Sequence, residues 1–268
     1  MARPIDLDDP DDPRLADFAG LTDAEIRRRV EVDGGFFLGE GPQVVARLVE
    51  SPHPIRSVAI TTRRWERMRP LLEPHPAPVY RVPQAVLDRV AGFHLHRGVV
   101  ASATRLPPPD PHDAMVGARA VAVLEGINDQ ENLGAIFRSA LALGLGAVLL
   151  DSTCADPYYR RTVRVSMGAV AVLPFTRLSP WPAALDLARS DGFAVIALTP
   201  RPDAVPIDRF DLPRDRRPAI LLGAEGPGLS EAALQAADAV VRIPMIELAD
   251  SLNVGHAAAI AFHRLVRR

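Results

Sequence analysis

Two rhythms of apolar and polar residues divide this chain. Val121 to Leu124, Ala147 to Leu150, Ala194 to Leu198 and Ala219 to Leu222 are uninterrupted apolar runs, and Val240 to Ile243 is apolar but for Arg242. Such runs fit strands buried on both faces of a parallel sheet. Helical patterns at Leu133 to Leu143, Pro182 to Arg189 and Ser230 to Ala237 separate them. The alternation predicts a doubly wound α/β domain, with ligands at the C-terminal ends of its strands. Ahead of it, Phe36 to Leu38, Ser57 to Thr61 and Val99 to Ser102 read as strands, and Gln43 to Val49 and Pro83 to Val90 as helices. A proline near the first turn of a helix is tolerated because its missing N–H has no intrahelical partner anyway. Between the two units runs RLPPPDPHD, from Arg105 to Asp113, expected to be a stiff spacer that continues neither helix nor sheet. The predicted layout is a frayed Asp/Pro-rich N-terminus over 1–20, a small α/β unit over 21–104, a linker over 105–116 and the larger α/β domain over 117–268.

Composition narrows the function. At 268 residues and 48% hydrophobic, with a mean hydropathy of +0.06, the chain has ample material for a soluble core. A net charge of -2 argues against a protein that coats polyanions with its whole surface. All of the 31 basic side chains are arginine, so any phosphate contact must be made by guanidinium, which can bind it in bidentate fashion. Cys154 stands alone, which excludes an intramolecular disulfide and a cysteine zinc site; no metal is expected. The opening MARPIDLDDPDDP is the opposite of a basic-then-apolar signal peptide. No apolar run approaches a membrane span, and a cytoplasmic location is expected.

Three segments carry candidate chemistry. Asn132-Leu133-Gly134-Ala135-Ile136-Phe137-Arg138 follows the strand and loop VAVLEGINDQE, with Asn132 a candidate helix cap and Arg138 expected in the first or second turn. Leu222-Gly223-Ala224-Glu225-Gly226-Pro227-Gly228-Leu229-Ser230 sets three glycines around a glutamate, ahead of a helix capped by Ser230. It is neither a dinucleotide fingerprint nor a P-loop, since the glycine spacing differs and no Gly-Lys-Ser/Thr follows. The third, IPMIELADSLNVGHAAAIAF from Ile243 to Phe262, turns a strand end through a polar Ser251-Leu252-Asn253 corner into an alanine-rich helix. A corner of that kind gathers free backbone N–H groups and side-chain oxygens at one point.

In order and spacing, N-x-G-x-x-x-R, L-x-G-x-E-G-x-G-L and I-P-M…S-L-N-V…A resemble the three motifs of the SpoU (TrmH-like) RNA ribose 2′-O-methyltransferases of the SPOUT class. Asp151…Arg164-Val165-Ser166-Met167-Gly168 looks like that family's middle segment, and FFLGEGPQVV with GFHLHRGVVA is similar to an L30e-type substrate-binding domain. The resemblance implies a C-terminal parallel-sheet domain with a trefoil knot, an S-adenosylmethionine (AdoMet) cofactor, and a homodimer with active sites near its interface. Carried over position by position, it makes Asn132, Arg138, Glu225, Ser251 and Asn253 catalytic. Cofactor contacts would come from Leu222, Gly223, Ala224, Glu225, Gly226, Ile243, Met245, Leu252, Asn253 and Ala257. Three positions depart from the family pattern: Ala224 replaces a common Asn, Glu247 a common Gly, and His256 a small or aliphatic residue.

Arginine's pKa above 12 suits it poorly to the role of base. The expectation is therefore that Arg138 clamps a backbone phosphate and positions the 2′-hydroxyl, with Glu225 and Asn132 orienting its guanidinium. Arg160, Arg161 and Arg164, beside Tyr158 and Tyr159, are candidates for RNA phosphate contact and stacking. A second cluster, Arg63, Arg64, Arg67 and Arg69, and a third, His96 and Arg97, are either RNA contacts or solvated charge. The expected substrate is ribosomal RNA. A tRNA substrate, an antibiotic-resistance modification of a ribosomal site, and an RNA-binding protein without catalysis stay open; a small-molecule nucleotide enzyme would need a phosphate loop that is missing.

Overall fold

The computed structural model describes residues 4–22, 30–246 and 248–266; Glu247 lies outside them. It divides into two compact units, residues 1–106 with 158–172, and residues 107–157 with 173–268.

The first unit is built on a five-stranded mixed sheet. Its strands are β1 (Ile5–Asp6), β2 (Phe36–Glu40), β3 (Ile55–Thr61), β4 (Val79–Val82) and β5 (Val99–Thr104), in the order β1-β4-β3-β5-β2. The Asp/Pro-rich start, expected to fray, is instead pinned from Ile5 onward. Ile5 pairs with Tyr80 in a parallel ladder, and Leu15 and Phe18 of a 3-10 turn are buried. Apolar side chains, not the polar ones around them, decide this segment's fate. Residues 158–172, which follow the Ala147 to Leu150 run and were expected in the larger domain, belong to this unit. Tyr158 stacks on Phe37 with ring centroids 4.5 Å apart.

The second unit carries a seven-stranded, wholly parallel sheet, as the apolar runs predict. Its strands are β6 (Val121–Glu125), β7 (Ala147–Leu150), β8 (Phe175–Arg177), β9 (Phe193–Leu198), β10 (Val205–Pro206), β11 (Arg217–Gly223) and β12 (Ala239–Arg242), in the order β10-β12-β9-β11-β6-β7-β8. β11 lies centrally, with Leu222 beside Leu124 and Gly223 beside Glu125. The main core is aliphatic, built from residues such as Val121, Leu149, Val195 and Leu221. The proline stretch is not spacer throughout: Pro111–Met115 is a short helix whose N-cap, Asp110, accepts from the His112 amide. Pro111 occupies the first helical position, where a proline costs nothing in hydrogen bonds. Among the described residues no helix is long and apolar enough to cross a membrane.

Candidate active site

The C-terminal ends of β9, β11 and β12 surround a cavity of about 450 Å³. Each wall arises from local sequence. β11 ends at Gly223, where a Cβ would lie 2.4 Å from the backbone of Gly228 and Leu229; only glycine lets the chain double back so closely. The return is made through Gly226 and Gly228, both at positive φ, and Ala224 bridges to Gly228. Ser230 then caps the Glu231–Gln235 helix by accepting from the Ala233 amide at 3.1 Å.

Opposite this turn, Asn253 starts the Val254–Leu265 helix. Its Oδ1 accepts from the amides of Gly255 (3.0 Å) and His256 (3.3 Å). Its Nδ2 donates to Asn132 Oδ1 at 2.7 Å and to Glu225 Oε1 at 2.6 Å. The two acceptors on one side and two amide donors on the other determine which way the side-chain amide points. All three motifs thus meet at one amide group. The Glu225 carboxylate also faces the helix N-terminus, 3.4 Å from the Val254 amide, where negative charge is favoured.

Two expectations for the first motif need correction. Asn132 does not cap its helix. The helix is Gln130–Leu143, and its cap is Asp129, which accepts from the Glu131 and Asn132 amides. A residue three positions earlier had the competing side-chain oxygen, and Asn132 is left inside the helix, buried, with its amide turned to Asn253. Arg138 is in the third turn, exposed, and makes no ion pair or side-chain hydrogen bond among the described residues. Six residues at 100° each put it about 120° around the helix from Asn132. Glu225 and Asn132 therefore orient Asn253, not the guanidinium.

The ten residues expected at the cofactor all line the cavity, together with Ser251. Sequence reading missed Leu198, Thr199 and Pro200, which line it too. The signal was present: they end the apolar run of β9, at the sheet edge where ligands were expected. Ala224 lines the cavity; His256 is exposed in the first helical turn. Beneath the first motif, buried Asp151 accepts from the amides of Gly126, Thr153 and Cys154 and from the Thr153 hydroxyl. Burial alone raises its pKa, but hydrogen bonds from Thr153, Cys154 and Gly126 outweigh that and lower it. Burial, then neighbouring Asp151, pushes the Cys154 thiol up to about 12, so it is inert as a nucleophile.

The arginine clusters belong to the first unit. Arg160 is committed: it pairs with buried Glu40 at 3.3 Å, donates to the Leu21 carbonyl and lies over Phe93. Arg164 is 3.9 Å from the same carboxylate, and Arg161 is exposed. Tyr158 is occupied by Phe37 and by the guanidinium of Arg105. By contrast, Arg63 and Arg67 are exposed on the Thr62–Leu72 helix. Arg64 donates to the Arg97 carbonyl at 3.0 Å, joining that helix to the loop that bears His96. Arg69 pairs with Glu73 one turn on.

Comparison with known proteins agrees with the motif geometry. The sequence profile described as the SpoU rRNA Methylase family matches residues 119–263. A protein of Mycobacterium tuberculosis (strain ATCC 25618 / H37Rv), named an uncharacterized tRNA/rRNA methyltransferase, is 44% identical over 98% of this chain and 91% of its own. Among solved structures, the SpoU methyltransferase AviRb from Streptomyces viridochromogenes, in complex with AdoMet, superposes with a TM-score of 0.79 at 25% identity, covering 95% of this chain and 98% of that one. An RNA 2′-O ribose methyltransferase superposes with a TM-score of 0.75 at 27% identity, covering 97% and 98%. With motifs, fold and relatives in agreement, the chain belongs to the SpoU methylase family.

Proposed function

We propose that this protein transfers a methyl group from AdoMet to a ribose 2′-hydroxyl of RNA, with ribosomal RNA as the substrate. The observation that carries the reading is the Asn253 amide, which ties Asn132, Glu225 and the helix N-terminus together at the wall of one cavity. The cavity fits such a cofactor: its volume falls within the range of about 300–1,000 Å³ usual for small-molecule sites. Leu222, Ile243, Met245 and Leu252 offer apolar contact, and the glycine turn exposes backbone for close approach. Bound there, the cofactor supplies a methyl group on a sulfonium sulfur.

The chain's own residues then have distinct tasks. A displacement in which charge disappears is favoured by apolar surroundings, and walls that hold the reacting atoms in line favour it further. Arg138, with no protein partner among the described residues, is left to clamp an RNA phosphate and position the 2′-hydroxyl; its proton leaves to phosphate or water. Asn253 and Glu225 hold the cavity's shape, and Ser251 orients the ribose at the rim. Arg63, Arg64, His96 and Arg97 form an RNA-binding face on the first unit, with Arg161 and Arg164 as further contacts. The active species is a homodimer.

Calorimetry with AdoMet and a methyl-transfer assay on RNA test the reading. Arg138→Ala is expected to keep AdoMet affinity while methylation falls by about two orders of magnitude or more, as when a positioning or electrostatic group is removed. Near-normal turnover would remove Arg138 from the mechanism. No AdoMet binding by the wild-type chain would leave the RNA-binding reading without catalysis. Mapping 2′-O-methyl sites in RNA from cells with and without the gene assigns the substrate; loss of a site in tRNA alone would overturn ribosomal RNA.

A further inference from the structure

The carboxylate of Glu125 has no place in the mechanism so far, yet it is surrounded by donors. Oε1 accepts from Trp181 Nε1 at 2.6 Å and from the Ser230 hydroxyl at 2.7 Å, and Oε2 accepts from the Ser230 amide at 2.9 Å. Glu125 is also the last residue of β6, and its Cα partner across the parallel ladder is Gly223. Gly223 and Ser230 are the two ends of the glycine turn. Glu125 therefore holds one end through the backbone ladder and the other through its side chain. The chain between them is drawn into a closed ring with Glu225 within it, and Glu225 is the residue that grips Asn253.

Resting on the methyltransferase reading, we propose that Glu125 is a positioning residue for the AdoMet site, acting through Ser230 on the glycine turn. It does not line the cavity. Its effect is to keep Ala224, Glu225 and Gly228, which do, in one arrangement before the cofactor arrives. Preorganised walls bind more tightly because ordering them no longer opposes association. Hydrogen bonds to a charged acceptor are the strong kind, so three of them suffice to hold a turn rich in glycine. Ser230 passes the constraint on: its hydroxyl proton goes to Glu125 while its oxygen accepts from the Ala233 amide. Trp181 fixes the carboxylate through Oε1, the oxygen that also accepts from the Ser230 hydroxyl.

The test compares AdoMet affinity by calorimetry on the full chain, RNA affinity by filter binding, and thermal unfolding. Glu125→Ala is expected to weaken AdoMet binding about tenfold, the size of one charged hydrogen bond, with RNA affinity unchanged. Glu125→Gln, which keeps an acceptor oxygen, should recover part of the loss. Ser230→Ala should weaken AdoMet binding in the same direction, and Glu125→Ala with Ser230→Ala should lose less than the two separate effects combined. Should Glu125→Ala not fold, Ser230→Ala and Trp181→Phe carry the test, each removing one donor and leaving the carboxylate its remaining hydrogen bonds. AdoMet affinity within twofold of wild type in the variants that fold overturns the proposal, as does an equal loss of RNA affinity. Failure of the wild-type chain to bind AdoMet would instead strike the methyltransferase reading.

Discussion

At the scale of single residues, the side-chain amide of Asn253 has two jobs, and one substitution separates them. Asp caps helices about as well as Asn, but it cannot donate. Asn253→Asp would keep the cap while setting a carboxylate against Glu225 Oε1, where an N–H now lies 2.6 Å away. Like charges so close raise the pKa of the pair in the folded state. The folded chain then binds more protons than the unfolded one, and its stability falls as pH rises from the unfolded value of about 4 through the raised folded value. Thermal melts should show the variant near wild type in acid and less stable at neutral pH, with AdoMet binding lost. A variant that binds AdoMet normally would show that the donor side of the amide is dispensable. Arg160 makes a second case. Removing it leaves Glu40, 1% exposed, with the more distant Arg164 as its ion-pair partner among the described residues. Stranding a buried charge costs about 3–5 kcal/mol. Arg160→Ala should therefore reduce stability in denaturant titrations, with RNA affinity unaffected in whatever fraction stays folded; selective loss of RNA binding would restore it as a phosphate contact.

Elements come next. The glycine turn works because β11 can run past Gly223 and return within touching distance of it. Gly223→Ala would drive a Cβ into the backbone of Gly228 and Leu229 at 2.4 Å, and backbone cannot step aside as a flexible side chain can. A cost of about 3 kcal/mol is expected, at the upper end for overpacking, with AdoMet affinity falling at the same time. Retained affinity with a normal melt would mean that the turn relaxes freely. The strands of this unit were legible in the sequence because a buried parallel strand leaves a continuous apolar run, as Val121 to Leu124 and Ala219 to Leu222 do. Short edge strands such as β8 and β10 were not legible, since two or three residues leave no periodicity. The helix cap was misplaced for a related reason. Asp129 and Asn132 both carry capping oxygens, and only the path of the chain after Gly126 selects between them.

For the whole molecule, the titration of buried histidine shapes stability. Burial lowers the pKa of His53 below 6.5, partly countered by its hydrogen bond with the Thr104 carbonyl, and burial shifts His75 the same way. Between the folded and unfolded values the unfolded chain holds the proton and the folded chain does not, so stability rises with pH there. It is complete above the unfolded value of 6.5 and declines as pH falls below it, until the folded histidine protonates. His53→Phe should flatten part of this slope in urea titrations taken at about pH 5 and about pH 7. An unchanged slope would exclude His53 as its source.

The sequence by itself determined the parallel α/β domain, the order of three motifs and ten of the residues around one cavity. These are local properties: apolar runs, glycine spacing and polar corners are written in neighbouring positions. Only the tertiary structure decided that one amide, Asn253, joins residues 121 and 28 positions away. It also decided that Arg138 stands apart from them, that Arg160 serves a buried carboxylate, and that Glu125 holds the glycine turn. Each depends on which side chains long-range packing brings within about 3 Å, the reach of a hydrogen bond, and spacing along the chain carries no record of that.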